Sequence, residues 1–170
     1  MSDQSKPEPI ATDKSSLEQP KAVAMFLRPL ASLLRQQGIE PGALFREHGL
    51  SLDDTNNPES QVNVTDTSNL LSAAEDLLQD PSLGINMARQ SEYSVFGGLG
   101  LALSAGGSLL SVLQRMTRFQ RLISNAVRAE LVIGDDNVSI HFHPNAGHTP
   151  HPQGMQYVMA NLVRLVRIRL

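Results

Sequence analysis

Apolar residues recur at helical spacing along most of the chain. Between residues 23 and 37 they share one helical face, and Gly38 then supplies a stop; the apolar positions are Phe26, Leu30, Leu33 and Leu34. Pro29 lies within this stretch, so it either begins the regular helix as a first-turn proline or kinks a longer one. A second, shorter helix is predicted over residues 41–48, ending at Gly49, and a polar loop follows.

Capping residues predict the next two helices. Thr65 or Asp66 is placed to accept hydrogen bonds from the free amides of a helix with one apolar stripe, formed by Leu70, Ala74, Leu77 and Leu78. That helix ends before Asp80-Pro81, where Asp80 is expected to cap and Pro81 to occupy the first position of another helix. This following helix carries Leu83, Ile85 and Met87.

The strongest helical pattern starts after Ser108, which is predicted to be the N-cap. One side of this helix is apolar, with Leu109, Val112, Leu113, Met116 and Phe119, and the opposite side carries Arg115, Arg118 and Arg121. Such a row of guanidinium groups could bind a carboxylate or a phosphate, and Arg128 lies just beyond it. Because the row lies opposite the apolar stripe, we favour the interpretation that it is a solvated helix face.

After residue 125 the hydrophobic period changes from helical to alternating. Val127, Ala129, Leu131 and Ile133 fall on one face, a turn follows at residues 134–136, and alternation resumes at Val138, Ile140 and Phe142. This pattern predicts a β-hairpin. A final helix over residues 155–170 has a broad apolar stripe of Met155, Val158, Met159, Leu162, Val163 and Val166. The expected fold class is therefore α+β, mainly helical, with several short helices packed against one hairpin.

Length and composition indicate one soluble, cytoplasmic domain. The chain has 170 residues, of which 41% are hydrophobic, enough for one hydrophobic core. It has no cysteine, which excludes disulfides. Its formal charge of −3 gives no global basic field that would attract nucleic acid. Residues 1–22 offer little to bury and are expected to form a disordered tail before a domain over residues 23–170. No signal peptide or membrane-spanning run is present in the sequence. The last helix ends on Ile168, Arg169 and Leu170 without a cap, so we expect the domain to be truncated there.

Four histidines lie close together near the end of the chain. His141 and His143 would project from the same face of a strand, and with His148 or His151 they could bind zinc or a similar metal. The interpretation we favour is that these are exposed histidines, because His141 and His143 take the solvent-facing register and residues 143–154 have the proline, glycine and asparagine content of a surface loop. No cofactor is predicted.

No pattern for catalysis or nucleotide binding is found. The glycines in FGGLG and AGG fit neither dinucleotide nor phosphate-loop spacing, and close packing and helix breaks explain them better. There is no G-x-S-x-G or H-E-x-x-H motif, so the chain is not expected to be an enzyme. Arg164, Arg167 and Arg169 could mark a membrane-surface helix, although a truncated core helix explains them equally well.

The order and spacing of several segments resemble one family of proteins. The segments are LLRQQGIEPGALFREHGL, VNVTDTSNLLSAAEDLLQDPSLGINMA, FGGLGLALSAGGSLLSVLQRMTRFQRLIS, and the hairpin leading into the last helix. Together they are similar to the N-terminal regulatory, arabinose-binding-like domain of AraC-type bacterial transcription regulators, in the branch of ornithine-utilisation and virulence regulators. The resemblance covers residues 23–170.

This resemblance implies a domain that senses a small-molecule effector, mediates homodimerisation, or both. DNA is read in that family by a helix-turn-helix module, which we do not expect within this chain. The family name fixes no ligand, and no effector contact can be carried over by position. From aromatic or polar character near the expected core, our candidate effector contacts are Phe96, Phe119, His141 and His143. Two alternatives stay open: a small histidine-rich metal-binding protein, and a stand-alone interaction module that dimerises with full-length regulators.

Overall fold

A computed structural model describes residues 19–91, 107–145 and 147–169. The strands are β1 (Lys21–Val23), β2 (Gln61–Asn63), β3 (Val127–Ile133) and β4 (Val138–Pro144). The helices are α1 (Arg28–Gln36), α2 (Pro41–Glu47), α3 (Val64–Leu78), α4 (Leu83–Gln90), α5 (Leu109–Ile123) and α6 (Pro152–Arg169), with 3-10 turns at Ala24–Leu27 and Asp53–Asn56. Strands β1 and β2 pair antiparallel, as do β3 and β4. The predicted mainly helical α+β class is confirmed.

Pro29 lies in the first turn of α1, where its missing amide hydrogen needs no partner, and the chain leaves the helix at Gly38 with a φ of +75°. Of the two alternatives that the sequence left open, the longer, kinked helix is wrong, because the residues before α1 form β1 and a 3-10 turn. Lys21 and Ala22, which the sequence assigned to the tail, are part of β1; residues 1–18 of that tail lie outside the described residues.

Two of the predicted helix starts are displaced by a few residues. Helix α3 is capped by Asn63, whose Oδ1 accepts from the Thr65 amide at 2.8 Å, and not by Thr65 or Asp66. Helix α4 begins at Leu83 and not at Pro81, because the Asp80 side chain is used in the preceding turn. Asp80 Oδ1 accepts from the Ser82 amide at 2.9 Å, and Oδ2 accepts from Asn86 Nδ2 at 2.7 Å.

Helix α5 and the hairpin follow the sequence pattern closely. Ser108 Oγ accepts from the Ser111 amide at 3.2 Å, which confirms the predicted N-cap. The register of the hairpin pairs Ala129 with Phe142 and Glu130 with His141. Since directly paired residues share a face, the apolar positions lie on one side and the histidines on the other, as the alternation predicts.

Helix α6 is rotated relative to the prediction. Leu162 is buried as expected, but Met159 and Val163 are each 48% exposed. The other buried residues among those described in this helix are Gln153, Tyr157 and Leu165, which the predicted stripe did not include. The helix is apolar around much of its circumference, so periodicity alone does not select the face that packs inward.

The core consists of two clusters of different size. The larger cluster joins β2, the 3-10 turn at Ala24–Leu27 and helices α1 to α4, with Leu30, Phe45, Leu70 and Met87 fully buried, and it reaches α6 at Tyr157. The smaller cluster joins α5 to α6 through Val112, Met116 and Leu165. None of the described helices is both long enough and apolar enough to span a bilayer.

Candidate functional site

A cavity of about 210 Å³ lies between the two core clusters. Leu71 and Tyr157 of the larger cluster form part of its wall, and Met116 and Leu165 of the smaller cluster form another part. Strand β1 and the first residues of the hairpin complete it with Ala22, Val127 and Phe142. Four separate parts of the chain therefore meet around one space.

The cavity wall is predominantly apolar. Its hydrophobic side chains come from both sheets and from α3, α5 and α6. Among the described residues that line it there is no aspartate, glutamate, lysine or arginine. A charged ligand would therefore lose its hydration without meeting an opposite charge on this part of the wall, which is unfavourable.

Most polar side chains in the wall already have protein partners. Thr67 Oγ1 donates to the Asn63 carbonyl at 2.9 Å, and Ser68 Oγ donates to the Val64 carbonyl at 2.8 Å. Ser124 Oγ donates to the Lys21 carbonyl at 3.1 Å, which ties the end of α5 to β1. Asn161 Nδ2 donates to the Tyr157 carbonyl at 2.9 Å within α6. These bonds reduce the capacity of the wall to bind additional polar groups.

Two histidines lie in the same wall and are held differently. His151 Nδ1 accepts from the Gln153 amide at 3.2 Å, so in its neutral form Nε2 carries the proton and donates to Ser72 Oγ at 2.9 Å. His148 Nε2 is buried and has no hydrogen-bond partner among the described residues. Burial lowers the pKa of His148 below its ordinary value of 6.5. Burial also lowers the pKa of His151, and the charge of Glu75 partly opposes this. The lowered pKa of each ring therefore favours its neutral form at pH 7.

The opposite side of α6 packs tightly on α4 through a buried amide. Gln153 is only 1% exposed, and its Oε1 accepts from the Gly84 amide at 2.8 Å. Its Nε2 donates to Glu75 Oε1 at 2.8 Å and to the Pro81 carbonyl at 3.0 Å, so every polar atom of the amide is used.

Gly84 allows α4 and α6 to come together at this point. A Cβ atom at Gly84 would lie 2.1 Å from the Gln153 carbonyl oxygen, which no side chain can do. Sequence reasoning identified neither Gly84 nor Gln153. The sequence signal was a glycine inside a helical pattern, which is typical of close packing between helices.

Two further contacts hold the end of α4 against α6. The Arg164 guanidinium donates to the Ala88 carbonyl and, at 3.0 Å, to the Ser91 carbonyl. These oxygens lie at the C-terminal end of α4, where a cation is favourable. The Tyr157 hydroxyl lies 2.9 Å from Ser91 Oγ, and burial raises the pKa of Tyr157 despite that hydrogen bond. The cavity is therefore bounded on one side by a helix that is firmly positioned.

The predicted effector contacts are distributed over different places. His141 and His143 lie on the outer face of the hairpin with ring centres 6.3 Å apart, and His143 Nε2 is 3.1 Å from Glu130 Oε2. Phe119 is half-buried on α5, with the Arg118 guanidinium 5.5 Å from its ring centre, and is not among the described residues of the cavity wall. Phe96 lies outside the described residues. The cavity instead receives Phe142, between the two histidines in sequence.

The four clustered histidines fall into two pairs. His141 and His143 face away from the cavity, whereas His148 and His151 belong to its wall. Over residues 19–91, 107–145 and 147–169, no group of three or more metal-ligating side chains is positioned to hold an ion. In the arginine row of α5, Arg118 and Arg121 are exposed, as expected for a solvated helix face, and Arg115 is half-buried.

These features define an α+β domain in which a strand, a hairpin and three helices line an apolar cavity that is partly open to solvent. The family described as the N-terminal arabinose-binding domain of AraC transcription regulators matches residues 38–170. The chain belongs to this family, which confirms the resemblance drawn from the sequence. It is also 24% identical over 115 residues to the ornithine utilization regulator of Pseudomonas aeruginosa. That match covers 68% of this chain and 34% of the relative, so the chain spans about a third of the length of that regulator.

Proposed function

We propose that this chain is the effector-sensing part of an AraC-type transcription regulator and that the cavity beneath α6 receives the effector. The observation that carries the proposal is the cavity itself, in which mostly apolar side chains from distant parts of the chain surround a space large enough for a small molecule. A ligand held there would contact the hairpin, α5 and α6 together. It would favour whichever arrangement of these elements binds it best.

The proposed role is regulatory and not enzymatic. DNA would be read by a helix-turn-helix module elsewhere in the regulator, and the protein would act in the bacterial cytoplasm. The effector need not be ornithine, although the related regulator is named for ornithine utilization. Ornithine carries two ammonium groups and a carboxylate, and the described part of the cavity wall offers no residue of opposite charge for any of them.

The cavity can be tested by filling it. Gly154 lies in the wall, and a Cβ atom there would meet only Leu71 Cδ1, at 3.9 Å. Gly154→Leu should therefore extend into the cavity, whereas Gly154→Ala should leave most of it open. We expect a metabolite library to contain compounds that raise the melting temperature of the wild type and of Gly154→Ala but not of Gly154→Leu.

The same compounds should change the self-association of the wild-type chain in sedimentation equilibrium. Circular dichroism of both Gly154 variants provides the folding control. If every stabilising compound acted equally on Gly154→Leu, the cavity would not be the effector site.

We also propose that the domain forms homodimers through the outer side of α4 and α6. Ile85 on α4 and Met159 and Val163 on α6 are exposed apolar side chains that line one surface groove. Neighbouring exposed apolar residues of this kind are typical of protein interfaces.

The dimer proposal is tested by Met159→Glu together with Val163→Glu, in sedimentation equilibrium. We expect a monomer, while Leu77→Glu at an exposed position of α3 should leave the dimer intact. A wild type that is monomeric at high concentration, or a double variant that dimerises normally, would contradict this interface.

A further inference from the structure

Helix α6 lies between the cavity and the surface groove that we assign to the dimer. Gly154 and Val158 of this helix line the cavity, whereas Met159 and Val163 line the groove. Among the described residues, Met155 alone lines both spaces, and it is half-buried. One side chain is therefore part of both proposed sites.

The backbone of α6 has little freedom to move in response to a molecule in the cavity. Gln153 Oε1 accepts from the Gly84 amide at 2.8 Å, and the Arg164 guanidinium donates to the Ser91 carbonyl at 3.0 Å. A shift of α6 toward α4 is blocked, because Gly84 already has no room for a Cβ atom. A methionine side chain is unbranched and has three rotatable bonds, so its rotation costs much less. Met155 is therefore the part of this boundary that adapts most easily.

We propose that Met155 couples the two sites, so that a molecule in the cavity weakens the dimer. When the cavity is empty, the Met155 side chain turns toward the cavity and leaves the groove free for the second copy. When the cavity is filled, the side chain turns toward Met159, one helical turn away, and takes up space in the groove that the second copy needs. This inference rests on the proposed function, both for the cavity and for the dimer face.

The coupling is reciprocal, because one side chain cannot occupy both spaces. A second copy in the groove turns Met155 toward the cavity and leaves less room there for a ligand. The dimer should therefore weaken ligand binding by the same factor by which the ligand weakens the dimer.

The first test fills the cavity without a ligand and measures the dimer dissociation constant by sedimentation equilibrium. Gly154→Leu projects into the cavity next to Met155, and Gly154→Ala is the matched control that leaves the cavity open. We expect Gly154→Leu to raise the dissociation constant at least about fivefold, and Gly154→Ala to leave it unchanged. In a Met155→Ala background, where the side chain is too short to reach into the groove, Gly154→Leu should change it less than about twofold.

Each other outcome of this cycle identifies which proposal fails, once circular dichroism has shown that all variants fold. A wild-type dimer that Gly154→Leu leaves unchanged would overturn the coupling alone. Equal weakening by Gly154→Leu with and without the Met155 side chain would mean that the effect does not pass through Met155, which also overturns it. A monomeric wild type would contradict the dimer face itself, and the coupling with it.

The second test observes the Met155 side chain directly. In protein with ¹³C-labelled methionine methyl groups, the Met155 signal is assigned by its loss in Met155→Ala. Its chemical shift should differ between the wild type and Gly154→Leu, whereas the signal of Met87, fully buried in the larger core cluster and absent from the described cavity wall, should not move. A Met155 signal that is unchanged in Gly154→Leu would show that the side chain does not respond to filling of the cavity and would overturn the inference.

Discussion

Helix α6 has two sides that are built on different principles. Toward α4 it approaches so closely that Gly84 has no room for a Cβ atom, and the buried Gln153 amide has all of its polar atoms bonded. Toward α5 and the hairpin it borders a cavity of about 210 Å³, and Gly154 has ordinary space around it. The first side fixes the position of the helix, and the second leaves room for a ligand. A sensing domain needs both, because a ligand can bias a structure only if its surroundings are otherwise well positioned.

The largest effect should come from adding a methyl group at each of the two glycines. Gly84→Ala should destabilise the protein by about 3 kcal/mol, because its Cβ would collide with the backbone oxygen of Gln153. Gly154→Ala should instead stabilise it by about 0.5–1 kcal/mol, because alanine favours a helix and the new atom makes only an ordinary contact. Urea unfolding followed by circular dichroism measures both, since the chain has no tryptophan. Similar effects at the two positions would remove the distinction between the two sides.

The second test removes the buried amide. Gln153→Met keeps a side chain of similar size but leaves the Gly84 amide and the Pro81 carbonyl without this partner. We expect a loss of about 2 kcal/mol in the free energy of unfolding. Gln156→Met is the control, because Gln156 makes only a longer 3.3 Å bond to the same carbonyl, and should cost less than about 1 kcal/mol. Equal costs for the two variants would show that Gln153 has no special role.

Tyr157, which lies at the boundary between the two sides, should produce a smaller and pH-dependent effect. Tyr157→Phe removes the hydroxyl bonded to Ser91 and should cost about 1 kcal/mol at pH 8. Burial raises the pKa of Tyr157 above its ordinary value of 10.0, so the folded state favours the neutral phenol. The stability it contributes is complete below pH 10 and is lost as the pH rises from 10 toward the folded-state pKa. Urea unfolding from pH 8 to pH 11 should show the advantage over Tyr157→Phe shrinking; a constant difference would contradict the prediction.

The smallest effect concerns the cavity side at acid pH. Because the pKa of His148 and of His151 is lowered in the folded state, their contribution to stability is present above pH 6.5 and declines as the pH falls through the folded-state values. The wild type should therefore lose stability between pH 7 and pH 5 more steeply than His148→Phe does. His141→Phe should follow the wild-type slope. Parallel curves for the wild type and His148→Phe would argue that His148 is not desolvated.

Local features were predictable because short stretches of sequence encode them. Ser108 was identified as the N-cap of α5, Pro29 lies in the first turn of α1, and the alternation of the hairpin correctly placed His141 and His143 on one outer face. The cap of α3 was predicted less well, because several polar residues near the start of this helix could each serve as its N-cap. Asn63 is a better cap than Thr65 in this backbone because it lies in extended conformation just before the helix.

The candidate site was predicted less well, because a cavity depends on elements distant in sequence. The hairpin lines the cavity with Val127 and Phe142. Alternation places Phe142 on the opposite face of the hairpin from His141 and His143, which had been suggested because of their polar character. His148 and His151 were interpreted as exposed loop residues, with metal binding as the alternative, and their place in an apolar wall depends on how the loop before α6 packs. The roles of Phe96, Phe119, His141 and His143 in effector binding stay predictions.

By itself the sequence determined the fold class, the alternation of the hairpin and the ends of several helices, because these depend on periodicity, turns and caps within a few residues. The order of its segments indicated the family. Tertiary structure alone decided which side of α6 faces inward and where the cavity lies. The reason is physical: α6 is apolar around much of its circumference, so its rotation depends on what its neighbours can accept. A glycine on α4 permits close approach, and the amide of Gln153 finds its partners only there.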